Sequence, residues 1–228
     1  MVFPRFAPSL ALALIGLVST LAFASPADPR NGGEFHTLPT RQAVQAPAGK
    51  VEVIEFFMYH CPFCYSLEPE LAAWVKKQGD AIVFRRVHLP YSGASDPEAH
   101  LFLTLQAMGK GEAMFPKIEH AVHVERIRLA KDDAIIDWVA KNGVDKTEFL
   151  SAWNSFGVTT AMRRLARSIG DYKVDSAPML TVNGRYLTSP ALASSRSVDQ
   201  APDAANKAVI VVLDALVAKS RSENAAAQ

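Results

Sequence analysis

The stretch VEVIEFFMYHCPFCYS, residues 51–66, changes character at its middle. From Val51 to Met58 it is nearly continuous in apolar, β-branched and aromatic residues. That reads as a strand buried on both faces, as in the middle of an α/β sheet. From Pro62 onward the period changes, and Leu67, Leu71, Trp74 and Val75 recur at helical spacing up to a stop at Gly79. Pro69 falls inside this helix and is expected to kink it, because its ring clashes with the preceding turn. Ala81 to Leu89 reads as a second strand, so the unit is strand, helix, strand and a parallel pair is expected.

The only two cysteines of the chain, in Cys61-Pro62-Phe63-Cys64, stand where the strand gives way to the helix. Unpaired N–H groups and the positive end of the dipole at a helix start favour a thiolate at Cys61. Pro62 suits the first helical position, where its missing N–H costs nothing. Each unit by which the Cys61 pKa falls below the ambient pH stabilises the dithiol by about 1.4 kcal/mol, or roughly 30 mV in a two-electron couple. The disulfide then becomes oxidising and Cys61 a good leaving group. Two other readings compete: a structural bridge that pins a turn, and a half-built metal site with His60 as a third ligand. So short a loop constrains the unfolded chain little, and no fourth ligand lies nearby in sequence.

Outward from this unit, Glu34 to Leu38 is a candidate short strand. Asp96-Pro97 starts a helix with Asp as cap and Pro at the first position, and Gly109 to Gly111 stops it. Further helices are expected at Pro116 to Val124, at Asp132 to Lys141, at Asp145 to Phe156 with a capping-box start, and at Thr159 to Ile169. Successive helices without strands read as a helical subdomain inserted into the α/β unit. Strands return at Met179 to Val182 and Arg185 to Leu187 around the hairpin signal Asn183-Gly184. Ser189 to Pro202 reads as loop. Pro202 to Lys219 is a last amphipathic helix with Ala208, Val211, Val212, Ala215 and Leu216 available for packing.

Composition narrows the function classes. The 228 residues are 49% hydrophobic and carry 24 Lys+Arg against 23 Asp+Glu, a net charge of +1. So even a balance gives no reason to expect nucleic acid as partner, and two cysteines are too few for a disulfide scaffold or a Cys-rich zinc site. At the N-terminus, Arg5 precedes an uncharged run from Leu10 to Phe23 that closes on Ala22-Phe23-Ala24. This is the pattern of a secretory signal peptide, residues 1–24, cleaved after Ala24. The rival, an uncleaved anchor, has too short an apolar core. The expected compartment is the periplasm, where disulfides persist.

Glu55-Phe56-Phe57, Cys61-Pro62-Phe63-Cys64-Tyr65, Ser151-Ala152-Trp153-Asn154-Ser155-Phe156 and Pro178 before Val182-Asn183-Gly184-Arg185-Tyr186 together resemble the DsbA family of secreted thiol:disulfide oxidoreductases, in order along nearly the whole mature chain. The resemblance implies a thioredoxin-like fold, with residues 34–94 and 171–220 forming the thioredoxin-like domain, 95–170 the inserted helical subdomain and 221–228 a flexible tail. It implies catalytic Cys61 and Cys64 that form a disulfide, no bound cofactor, and reoxidation by a DsbB-like quinone-linked membrane protein. It also maps a cis proline to Ala177-Pro178, where Ala177 would offer main-chain hydrogen bonds to an extended client peptide. Ala177 is smaller than the residue usual there. A strongly oxidising disulfide and a low-pKa cysteine characterise that family and are carried over with the resemblance.

Phe63 departs from the histidine of the best-known motif and can supply neither positive charge nor N–H to the thiolate. A higher Cys61 pKa and a less oxidising disulfide are expected. His60 either compensates or is a packing residue. Glu55 is either a buried carboxyl that tunes the cysteines or a side chain at a wet strand end, and Glu68 is expected to be solvated or ion-paired. His120 and His123 are expected on a solvated face, not on a metal. Trp138 and Trp153 should pack the insert, and His88 to Tyr91 could wall a groove. The function expected is oxidation of newly secreted, cysteine-containing chains by a monomer, through client attack on an exposed Cys61 sulfur. An isomerase or reductase, and a non-catalytic peptide-binding assembly factor, are the alternatives.

Overall fold

A computed structural model describes residues 28–197, 199 and 201–226. The expected signal peptide lies outside the described residues. Strand β2 (Val51–Phe57) is buried along its whole length, as its unbroken apolar pattern requires. Helix α1 (Pro62–Gln78) carries the chain back over the sheet to β3 (Ile82–His88), which pairs with β2 in parallel from Val51↔Ile82 to Phe57↔His88. Pro69 lies inside α1, which continues past it. The helix ends at Gly79, whose φ of 52° lies in the region that glycine adopts most readily.

The other strands, β1 (His36–Thr37), β4 (Met179–Val182) and β5 (Tyr186–Thr188), complete a five-stranded sheet in the order β1-β5-β4-β2-β3. Every strand pairing except β2–β3 is antiparallel. Between β4 and β5, which pair at Val182↔Tyr186 across a three-residue connection, Asn183 and Gly184 both take positive φ, 54° and 62°, so the turn falls where the Asn-Gly signal placed it and β5 starts at Tyr186, one residue later than Arg185. A Cβ at Gly184 would collide with the Gln42 carbonyl.

Between β3 and β4 lie five helices: α2 (Pro97–Ala107), α3 (Gly111–His123), α4 (Asp132–Lys141), α5 (Lys146–Trp153) and α6 (Phe156–Asp171). Asp96 caps α2 through Ala99 N–H at 2.8 Å, and Asp145 caps α5 through Glu148 N–H at 2.8 Å. Several boundaries differ from the sequence reading. Helix α3 begins five residues before Pro116, with no side-chain cap to mark its start. Phe156 opens α6 instead of closing α5, because Ser155 caps a new helix there. The segment after β5 contains a short helix, α7 (Pro190–Ala193), capped by Ser189.

The last helix, α8 (Pro202–Ala226), runs beyond Lys219 into the expected flexible tail. Glu223 holds it down by accepting from the Tyr186 hydroxyl at 2.6 Å and from Arg185 at 3.2 Å. Val211 faces solvent instead of packing, since Val212 and Leu213 take the inward positions.

Alternation along β2 divides the interior. Val51 and Val53 pack against Leu67, Leu71 and Trp74 of α1 and against Val209, Val212 and Leu216 of α8. Ile54 and Phe56, on the opposite face, meet Met162 and Leu165 of α6 and Tyr172. From the last residue of β2 onward, Phe57, Tyr59, Cys61 and Cys64 join the core of the inserted helices, with Phe102, Phe115, Ile118, Trp138 and Trp153. The cysteines therefore sit where the sheet and the insert meet.

Candidate active site

Helix α1 is capped by the Cys61 sulfur, which accepts the Cys64 N–H at 3.4 Å, and Pro62 occupies the first turn. The S–H of Cys61 points at the Ala177 carbonyl, 3.6 Å away, and the Ala177–Pro178 peptide is cis. Both cysteines are free thiols. The expectation of an exposed Cys61 sulfur needs correction: Cys61 is 5% exposed and Cys64 4%. Their acidities differ. Cys61 is held at about 6, chiefly by a hydrogen bond with the Cys64 thiol, against burial, with help from the N–H groups of Cys64 and Phe63 and the charge of His60. The Cys64 thiol is pushed far up by giving its proton to that bond and by its own burial. Ala177 works in the opposite sense, since its carbonyl accepts from the thiol and repels the thiolate.

His60 Nδ1 lies 2.7 Å from Glu98 Oε2, and this bond raises the His60 pKa. Burial opposes ionisation of Glu98, yet its histidine partners keep the carboxyl well below the usual range. His88, 3.6 Å from Glu98, also faces the Tyr59 N–H, which donates to His88 Nε2 at 3.2 Å. His60, at 2.7 Å, is the nearer of the two histidine partners of Glu98.

Glu55 is 1% exposed, which removes the wet-strand-end reading. In the β2–β3 register it stands opposite Arg86, whose Nε donates to Glu55 Oε2 at 3.0 Å. Burial still pushes the Glu55 pKa up to about 7, because Arg86 only partly offsets it. Arg86 Nη2 donates to both Glu68 oxygens at 2.8 and 2.9 Å, and its guanidinium lies over the Phe115 ring at 3.9 Å. Glu68 is thus ion-paired, with its pKa raised by burial. On α3, Glu119 is 4% exposed and neither carboxyl oxygen has a hydrogen-bond partner among the described residues. Burial raises it to about 9.

The two histidines of α3 separate. His120 pairs with Glu125 at 3.1 Å on the surface, while His123 donates to the Tyr59 carbonyl at 2.7 Å and stacks on Tyr65 at 4.4 Å. The solvated-face reading fits His120 only. His88 is fully buried, whereas Tyr91 is 79% exposed with its ring 5.5 Å from that of His60.

Residues 52–204 match the family model of the DSBA-like thioredoxin domain. The chain belongs to the DsbA family. It is 43% identical over 187 residues to the thiol:disulfide interchange protein DsbA of Burkholderia cepacia, covering 82% of this chain and 88% of that one. A crystal structure of Pseudomonas aeruginosa DsbA superposes with a TM-score of 0.76 at 31% identity, over 88% of this chain and 98% of the other. A Proteus mirabilis DsbA solved with a non-covalently bound peptide, PWATCDS, shares the fold at 20% identity and a TM-score of 0.66, over 84% of this chain and 99% of that one.

In this DsbA-family chain, Phe63 is 61% exposed and lines a cavity of about 370 Å³ with Ala177, Pro178, Met179, Pro190 and Ala205. No charged side chain among the described residues lines it. Three residues of the site escaped the sequence reading: Arg86, Glu98 and Glu119. Arg86 had a readable signal, an arginine inside an apolar strand that needs an acidic partner. Glu98 was visible only as part of a helix start.

Proposed function

We propose that this DsbA-family oxidoreductase is a periplasmic dithiol oxidase that passes a Cys61–Cys64 disulfide to newly secreted, cysteine-containing proteins. One arrangement carries the reading: the Cys61 sulfur caps α1 by accepting the Cys64 N–H at 3.4 Å, beside the Ala177 carbonyl, a placement that lowers the Cys61 pKa to about 6 and keeps Cys64 a thiol. A client thiolate attacks the Cys61 sulfur, forms a mixed disulfide and expels Cys64 as thiolate, which takes up a proton. A second client thiolate then attacks the client sulfur of that bond. The client gains a disulfide and Cys61 leaves as thiolate. Two client thiols are oxidised and one enzyme disulfide is reduced, so an oxidant is needed to restore it, and a DsbB-like quinone-linked membrane protein fills that role. No bound cofactor takes part.

The remaining assignments belong to the same proposal. Residues 1–24 act as the signal peptide, cleaved after Ala24. Residues 34–94 and 171–220 make the thioredoxin-like domain around the insert at 95–170, and the protein works as a monomer. Ala177 and Pro178 present main chain to the client. Pro62 and Phe63 form the active-site dipeptide, while His60, Glu55 and Glu68 tune the cysteines. The peptide bound in the Proteus mirabilis relative supports client binding by this fold. No helix among the described residues is long and apolar enough to cross a membrane.

The test is genetic and chemical. In a strain lacking oxidative folding, the wild type should restore it and Cys61→Ser should not; full rescue by Cys61→Ser would leave a non-catalytic assembly factor. In growing cells the pair should be found mainly as disulfide. A pair found mainly as dithiol would favour the isomerase or reductase.

A further inference from the structure

The residues flanking Cys61 line two cavities of opposite character. On the Phe63 side the lining is uncharged. On the His60 side, a cavity of about 530 Å³ is lined by His60, Glu98, Val122, Arg126, Arg128 and Leu129, among others. We propose that the His60-side cavity is a subsite for an acidic side chain next to the client's reactive cysteine, with Arg126 and Arg128 as its specificity-determining residues.

The charge balance of the cavity carries the argument. The one carboxylate among its described lining residues, Glu98, is already bonded to His60 at 2.7 Å, and its side chain is 9% exposed. Arg126 and Arg128 are both exposed, and neither makes a side-chain hydrogen bond or ion pair to any described residue. Asp96, two residues from Glu98, accepts from Ala99 and Ser92, and Glu125, next to Arg126, pairs with His120. Two guanidinium groups thus border an open cavity beside His60, the residue before the reactive cysteine, and its one lining carboxylate is engaged by His60 and not by either of them.

The backbone adds an independent observation. Arg126 has φ 62° in the turn that leaves α3, a region where glycine or asparagine is the usual occupant. An arginine there is held at a conformational cost, in the wall of this cavity. Planar guanidinium groups suit a carboxylate because they can donate two parallel bonds to it.

This inference rests on the oxidase reading, and one experiment separates the two. The oxidised, mature protein is mixed with synthetic peptides that contain one cysteine and either Glu or Lys within two residues on one or the other flank, and mixed-disulfide formation is timed. At one flank, Glu peptides should react about fivefold faster than Lys peptides at low ionic strength, and the ratio should shrink in high salt. In R126S/R128S the ratio should fall below about twofold, and in R126E/R128E it should invert, with circular dichroism reporting the fold of each variant. Equal rates in the wild type, or an unchanged ratio in both variants, would sink the subsite while leaving the oxidase intact. If no peptide forms a mixed disulfide, the oxidase reading falls and takes the subsite with it.

Discussion

Glu55 and Arg86 face each other across the parallel pair β2–β3, bonded at 3.0 Å with the Arg86 side chain 6% exposed and that of Glu55 1%. The same guanidinium holds Glu68, so a single buried cation serves two shielded carboxylates. Removing it with Arg86→Met strands both. A loss of about 3 kcal/mol or more is expected, the usual cost of breaking a buried pair from one side. Because Glu55 can escape by taking a proton, denaturant titrations should show a larger loss at pH 8 than at pH 5. Equal losses at the two pH values would contradict this account.

The Cys64 thiol is the largest single influence that lowers Cys61. Cys64→Ala should therefore raise the Cys61 pKa above about 6, while Cys64→Ser, which keeps a donor at the same place, should raise it less. Ultraviolet absorbance of the thiolate, followed against pH, measures both. Identical titrations for the two variants would show that the helix start and not the neighbouring donor sets the acidity.

Glu119 keeps its proton up to about pH 9 in the folded protein, whereas the unfolded chain releases it near the ordinary value of 4.5. Between those limits the unfolded state binds fewer protons, so stability falls as pH rises. Replacing the carboxyl by Glu119→Gln should flatten the decline between pH 5 and pH 9 by a few kcal/mol, since each pH unit that separates the folded from the unfolded value corresponds to about 1.4 kcal/mol. Urea unfolding across that range checks it, and parallel curves for variant and wild type would remove Glu119 from the pH response.

Phe63→His places a donor and a potential charge beside the helix start. A Cys61 pKa lower by about one unit should make the disulfide about 30 mV more oxidising at pH 7. Equilibration with glutathione, read alongside the thiolate titration, measures the change. An unmoved potential would mean that the exposed ring at this position, 61% accessible, is too well solvated for its identity to matter.

What could be read from the chain alone follows the range of the interactions. Strand β2, the start of α1 and the Asn183-Gly184 turn rest on contacts within a few residues, and each was legible. Where a local signal was absent, boundaries slipped: Lys110 offers no side-chain cap for α3, and Ser155 is followed three residues later by Val158 where a capping box would have Glu. The partners of the site residues lay further off. Glu55 needed the register of two strands to find Arg86, 31 residues away, and His60 needed helix α2 to bring Glu98. A buried carboxylate announces that it requires a partner; only the fold says which.

The span between Cys61 and Ala177 also has a meaning in time. Ala177 is made 116 residues after Cys61, and at about 5–20 residues per second that is a delay of roughly 6–23 s. During that interval the helix start exists in the chain, but the carbonyl that receives the Cys61 proton does not. β1 must wait longer still, because its strand partner among the described residues is β5. For those seconds a protein that oxidises nascent chains is itself a nascent chain, whose two thiols have no intramolecular partner but each other.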